Sequence, residues 1–167
     1  MGNYFFLEEL IDLLKKRDYS HFSIQEDSNG FREANCVLYA NDKADYVEVS
    51  VYAPDYTISE ETADRMIDVL EHLDECIQNA YVWLSRQDLQ DGWLTQPRYS
   101  PQELEQIFTM WNMFFGVSKS EPSRKKPHGG LFTLSFDLPD AEAYPWHYDV
   151  YFDYEDLQPY KSEKMLW

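Results

Sequence analysis

The run WHYDVYFDYE at 146–155 holds the residues best suited to chemistry. If it is a strand, alternation puts His147, Asp149, Tyr151 and Asp153 on one side and Trp146, Tyr148, Val150, Phe152 and Tyr154 on the other. Same-side neighbours then stand about 6.5–7 Å apart. At that spacing a histidine and a carboxylate can hold a metal ion between them, or the pair can hold a general base. The plainer reading is the solvent side of a half-buried strand, and it is preferred. His147, Asp149, Tyr151, Asp153, Trp146 and Tyr148 are therefore candidate binding residues. No catalytic residue, metal ligand or cofactor is assigned.

Other constellations are thinner. His72 and Cys76 are four apart in a helical pattern and could share a metal. Arg124-Lys125-Lys126 with His128 could meet an anion, though such a loop more often only solubilises. Gly129-Gly130 follows, but neither the Walker pattern nor G-x-G-x-x-G is present. G-x-S-x-G, S-x-x-K, H-E-x-x-H and the EF-hand loop are also missing. Cys36 and Cys76 have no C-x-x-C partner, which excludes a zinc ribbon or a disulfide framework and reads as two small thiols in a reducing compartment.

These residues need elements to position them. Tyr4, Leu7, Leu10, Ile11 and Leu14 recur at helical spacing, so a helix is expected over 4–16, with Glu8 and Glu9 early and Lys15, Lys16 and Arg17 late. Ser28-Asn29-Gly30 is a turn signal. Residues 31–40 and 46–53 read as a hairpin around Asn41-Asp42-Lys43, with Val47, Val49 and Val51 on one side of the second strand. Ser59 caps a helix expected to run to about Ser85. Its apolar stripe is Ala63, Met66, Ile67, Leu70, Leu73, Ile77, Ala80, Tyr81 and Leu84. Asp64, Asp68, Glu71, Asp74 and Glu75 make its outer face acidic.

A loop is expected over 87–99. Ser100-Pro101-Gln102-Glu103 is then a strong helix start. The aromatic run 107–117 could continue that helix to Gly116, or become a strand after about Gln106, which is favoured. Residues 118–130 read as loop. Phe132, Leu134, Phe136 and Leu138 then alternate with Thr133, Ser135 and Asp137 in another strand. The fold expected is a single α+β domain over 1–167. It has an antiparallel sheet of four to six strands, one long acidic helix packed on a face, and an N-terminal helix.

Composition narrows function further. The 167 residues carry 31 acids against 14 bases, a formal charge of −17. Such a surface repels nucleic acid and anionic lipid and favours a basic partner. Hydrophobic residues at 44% and aromatics at 17% argue for a packed core rather than disorder. No apolar run approaches the roughly 20 residues of a membrane span. The start, MGNYFFLEELIDLLKKRD, has acids inside its apolar stretch and bases after it, the wrong order for a signal peptide, and Phe6 stands where myristoylation wants Ser or Thr. A cytoplasmic location is expected.

The order of elements and the ending FTLSFDL…PWHYDVYFDYEDL (132–157), with Trp146, His147, Tyr148, Val150 and Phe152, resemble small bacterial domains of the immunity-protein-like kind. Where that pattern would carry an acid just before the histidine, Trp146 stands. The resemblance implies a non-enzymatic chain that masks a basic protein such as a toxin, and it carries over no catalytic residues. Two other readings remain: a metal-assisted hydrolase using His147, Asp149 and Asp153, and a structural protein that self-associates as a homodimer through its aromatic stripe.

Overall fold

A computed structural model describes residues 4–6, 20–26, 32–39, 46–52, 57–90, 94–115, 131–138, 146–153 and 155–166. The chain forms two compact units, Met1–Glu71 with Asn112–Lys126, and His72–Trp111 with Pro127–Trp167. Within the described residues the class is α+β, with antiparallel ladders and helices.

In the first unit β1 (Tyr4–Phe6) pairs antiparallel with β5 (Thr57–Ser59). This corrects the expected N-terminal helix over its first turn; the remainder of that reading, 7–16, lies outside the described residues. A three-residue apolar start, Tyr4-Phe5-Phe6, fits a strand as well as a helix, and the ladder to Thr57–Ser59 decides it. Strands β2 (Ser20–Glu26), β3 (Arg32–Tyr39) and β4 (Tyr46–Tyr52) form an antiparallel meander, with Tyr39 opposite Tyr46 as the hairpin reading requires. The turn signals at 28–30 and 41–43 lie outside the described residues. Helix α1 (Glu60–Glu71) buries Met66, Ile67, Val69 and Leu70 and exposes Asp64, Asp68 and Glu71.

The expected single helix to Ser85 is corrected to two. Helix α2 (Leu73–Ser85) begins anew after His72, whose φ of −113° and ψ of 26° leave the helical region. The Cys76 amide still donates to the His72 carbonyl at 3.0 Å, so the new helix starts with one orphan donor satisfied. No glycine or proline marks the break. The buried side differs from the single stripe: Val69 and Cys76, both off it, are fully buried, while Leu73 and Ile77 are only half-buried.

The second unit holds α2, α3 (Pro101–Ile107) and a meander of β7 (Leu131–Asp137), β8 (Trp146–Asp153) and β9 (Pro159–Leu166). Helix α3 starts as its sequence predicts. Ser100 accepts from the Glu103 amide at 3.1 Å, and the Glu103 carboxylate accepts from the Ser100 amide at 3.2 Å. Phe108 is extended and ends the helix, and β6 (Thr109–Phe115) follows, which is the favoured reading of the aromatic run. Its residues Asn112–Phe115 belong to the first unit and run parallel to Glu48–Val51 of β4, so the expectation of a wholly antiparallel sheet is corrected there.

Helix α2 lies on one face of the β7–β8–β9 meander. Trp83 Nε1 donates to Ser162 Oγ at 3.0 Å, and the Tyr81 and Phe136 rings are 5.3 Å apart. Phe132, Leu134, Phe136, Tyr148, Val150 and Phe152 are buried on this face, with Phe132 and Phe152 stacked at 4.8 Å. Burial, and then the Glu105 carboxylate, push the Tyr81 hydroxyl up to about 12, so it stays protonated and can donate to the Phe108 carbonyl, 3.5 Å away. Among the described residues no helix is long and apolar enough to cross a membrane.

The β8–β9 connection is a braced turn. The Leu157 amide donates to the Asp153 carbonyl at 3.1 Å, and the Asp153 amide to the Gln158 carbonyl at 3.2 Å. The Asp153 and Asp156 carboxylates accept from the Glu155 and Gln158 amides at 2.8 and 2.9 Å. Leu157 pays for this geometry with a φ of 56°, left-handed and unfavourable for a residue with a Cβ by about 1–2 kcal/mol. Leu157→Gly should therefore raise stability by about 0.5–1 kcal/mol, and Leu157→Val should lower it by about 1–2 kcal/mol. Thermal unfolding of the three proteins should rank them Gly, Leu, Val from most to least stable.

Candidate functional site

The face of the meander turned away from α2 is polar, yet much of it is buried. Alternation puts Thr133, Ser135 and Asp137 of β7, His147, Asp149, Tyr151 and Asp153 of β8, and Lys161, Glu163 and Met165 of β9 on this side. The antiparallel register sets Asp137 opposite His147, Ser135 opposite Asp149, and Asp149 opposite Glu163. Thr133, Ser135, His147 and Tyr151 are buried, and Asp137, Asp149, Asp153 and Glu163 half-buried. His147 at 9% and Tyr151 at 2% exposure overturn the solvent-side reading of this strand.

Buried polar groups need partners, and the register supplies them. Ser135 Oγ donates to Asp149 Oδ1 at 2.6 Å, and His147 Nε2 lies 3.2 Å from the same oxygen. Tyr151 donates to Glu163 Oε2 at 2.9 Å, while Lys161 forms an ion pair with the other Glu163 oxygen. The Trp111 ring stands edge-on to the His147 imidazole, centroids 6.2 Å apart. Asp137 differs from these. Among the described residues its buried Oδ1 has no hydrogen-bond partner. Burial raises its carboxyl to about 6, against the opposing pull of His147.

The arrangement can exchange protons, but it is not a nucleophilic triad. There the imidazole stands between hydroxyl and carboxylate. Here Asp149 stands between Ser135 and His147, so the hydroxyl hands its hydrogen bond to the carboxylate and His147 is not placed to activate it. Nor do the ligands for the hydrolase reading gather: among the described residues no three or more His, Cys, Asp or Glu side chains group as a metal site. His72 is exposed and Cys76 fully buried. The basic stretch 124–128 lies outside the described residues.

The six candidates from the sequence thus divide. His147, Asp149, Tyr151 and Asp153 share the polar face. Tyr148 is buried on the α2 face, where its ring meets Phe108 at 5.6 Å. Trp146 is half-buried with the Lys164 ammonium 4.5 Å over its ring. Sequence reasoning missed Ser135, Asp137, Glu163 and Trp111, which only strand register and packing bring to His147 and Asp149. The usable signal was the polar side of β7, Thr133-Ser135-Asp137, in a strand one hairpin away.

A second feature is an acidic surface on the same unit. Asp74 and Glu75 open α2, Glu103 and Glu105 lie on α3, and Glu155 and Asp156 lie in the β8–β9 turn; all six are exposed. Gln78 of α2 donates to Glu105 at 3.5 Å, and Asn79 donates to the Leu157 carbonyl at 3.1 Å. One helical turn separates Asp74 from Gln78 and Glu75 from Asn79, so the three acidic segments are neighbours. Asp149, by contrast, belongs to the far face of the sheet. No family model, curated protein or solved structure matches the chain.

Proposed function

We propose that the chain is a non-enzymatic binding protein that masks a basic protein partner through this acidic surface, as an immunity protein masks a toxin. The observation that carries the reading is the approach of Glu105 and of the Glu155-Asp156 turn to α2, which carries Asp74 and Glu75, through the Gln78–Glu105 and Asn79–Leu157 bonds. Val82, 39% exposed and one turn beyond Gln78, adds an apolar contact beside the acids. Complementary charge speeds encounter and selects the partner, while desolvated apolar groups supply much of the affinity. The net charge of −17 works the same way at longer range, and it disfavours nucleic acid and anionic bilayers. A cytoplasmic site of action belongs to the same proposal.

The test is capture by the immobilised full chain at low salt, followed by release at high salt. A basic protein should be retained and then lost as salt rises. The triple reversal Asp74→Lys, Glu75→Lys and Glu155→Lys should cut its association rate by about tenfold or more. Retention indifferent to both salt and reversal, or no retained protein, sinks the reading.

A further inference from the structure

We propose that Asp137, His147 and Asp149 form a proton-linked latch between β7 and β8, in which an imidazole set among two carboxylates on a buried sheet face holds the strand pair more tightly when Asp137 is protonated than when it is charged. The proposal is independent of any partner.

The geometry is that of a charge-crowded site. His147 faces Asp137 across the antiparallel ladder and lies 3.2 Å from Asp149 on its own strand. Asp149 is already engaged by Ser135 at 2.6 Å. The other groups on this side offer Asp137 little help. From β9, Met165 stands opposite His147, and Glu163 stands opposite Asp149 with its charge tied to Lys161 and Tyr151. From β6, Trp111 lies against the imidazole. When Asp137 ionises, a second carboxylate charge joins Asp149 on one face, and its Oδ1 is buried without a donor among the described residues. When it holds its proton, the face carries one charge fewer and His147 has a single carboxylate to satisfy.

The sign follows from burial. The carboxyl is raised from 3.8 to about 6, so the folded chain binds a proton that the unfolded chain has released between those values. The stability this proton gives is complete below about 3.8 and is lost as pH rises through about 6. A shift of two units corresponds to about 100-fold in the opening equilibrium at full effect, and solvent screening of this half-buried group brings it to about tenfold. His147 lowers the Asp137 value, so removing the imidazole should move the transition to higher pH.

The experiment is amide exchange of β7 and β8 in the full chain from pH 4 to 7.5, corrected for intrinsic rates. The global charge also changes with pH, so wild type is divided by Asp137→Asn at each pH. The ratio of protection factors should fall about tenfold between pH 4 and about 6 and level off above it, and His147→Gln should carry the fall on to higher pH. A flat ratio, or a fall that levels off at the same pH in His147→Gln, overturns the latch. Should Asp137→Asn fail to fold, the carboxyl carbon of Asp137 in the wild-type chain is titrated by NMR. A midpoint near 6 supports the proposal and one near 4 overturns it.

Discussion

Phe136→Ala is expected to lower the unfolding free energy of the second unit by about 3–5 kcal/mol, read as a shift of its urea midpoint at unchanged slope. Phe136 is fully buried. Its ring meets Tyr81 of α2 at 5.3 Å and Phe108, between α3 and β6, at 6.4 Å in an edge-on contact. Phe108 in turn meets Tyr148 of β8 at 5.6 Å. One side chain therefore joins the helices to two strands. Its removal takes away transfer free energy, leaves a cavity that close-packed neighbours fill only in part, and breaks two ring contacts worth about 0.5–1.5 kcal/mol each. Against a typical total of about 5–15 kcal/mol the loss is large. Tyr160→Ala removes an aromatic that is 38% exposed and should cost far less, about 1 kcal/mol. Equal costs for the two variants would mean that the ring chain does not organise this unit.

The same residues show why parts of the fold were legible in the sequence. The alternation of Phe132, Leu134 and Phe136 with Thr133, Ser135 and Asp137 is a local property of a pleated strand, and it survives into β7 unchanged. The Ser100–Glu103 capping box is likewise contained in four residues. What escaped depends on partners distant in sequence. Strand β9, PYKSEKML, alternates weakly because Lys161 and Glu163 lie on one side and Ser162 and Lys164 on the other, as suits a strand that among the described residues pairs along β8 only. The break at His72 has no glycine or proline to announce it, and the apolar period runs through it. The parallel pairing of β4 with Asn112–Phe115 joins segments some sixty residues apart and leaves no mark in either.

The candidate site shows the same boundary between local and distant information. Period two placed His147, Asp149 and Tyr151 together, and they are together. It could not say that this side is buried, because burial comes from what packs over the strand and not from the strand. It also could not bring Ser135 to Asp149 or Asp137 to His147, since a one-residue slip of the hairpin would send both to the other face. The acidic helix face and the acidic ending were each visible as composition. The approach of Asp74 and Glu75 to Glu155 and Asp156, at Asn79 and Leu157, needed the β8–β9 turn to be in place.

Asp149→Ala is expected to cost about 2–3 kcal/mol, more than an ordinary half-buried acid. Its Oδ1 accepts from Ser135 at 2.6 Å, a short charge-assisted bond, and lies 3.2 Å from His147 Nε2. Truncation leaves the Ser135 hydroxyl, 5% exposed, without the acceptor it now has, and takes the near carboxylate from a buried imidazole. Ser135→Ala alone should cost about 1 kcal/mol, because Asp149 keeps His147 and losing the hydroxyl leaves only a small void. The decisive quantity is their coupling. If the bond is as strong as its length implies, the double variant should be about 1–1.5 kcal/mol less damaging than the sum of the singles, since removing both partners leaves neither orphaned. Denaturant unfolding of the four proteins closes the cycle. A coupling near zero would mean that the Ser135–Asp149 bond does not hold this face; a coupling at or above about 1 kcal/mol makes Asp149 the acceptor on which Ser135 depends.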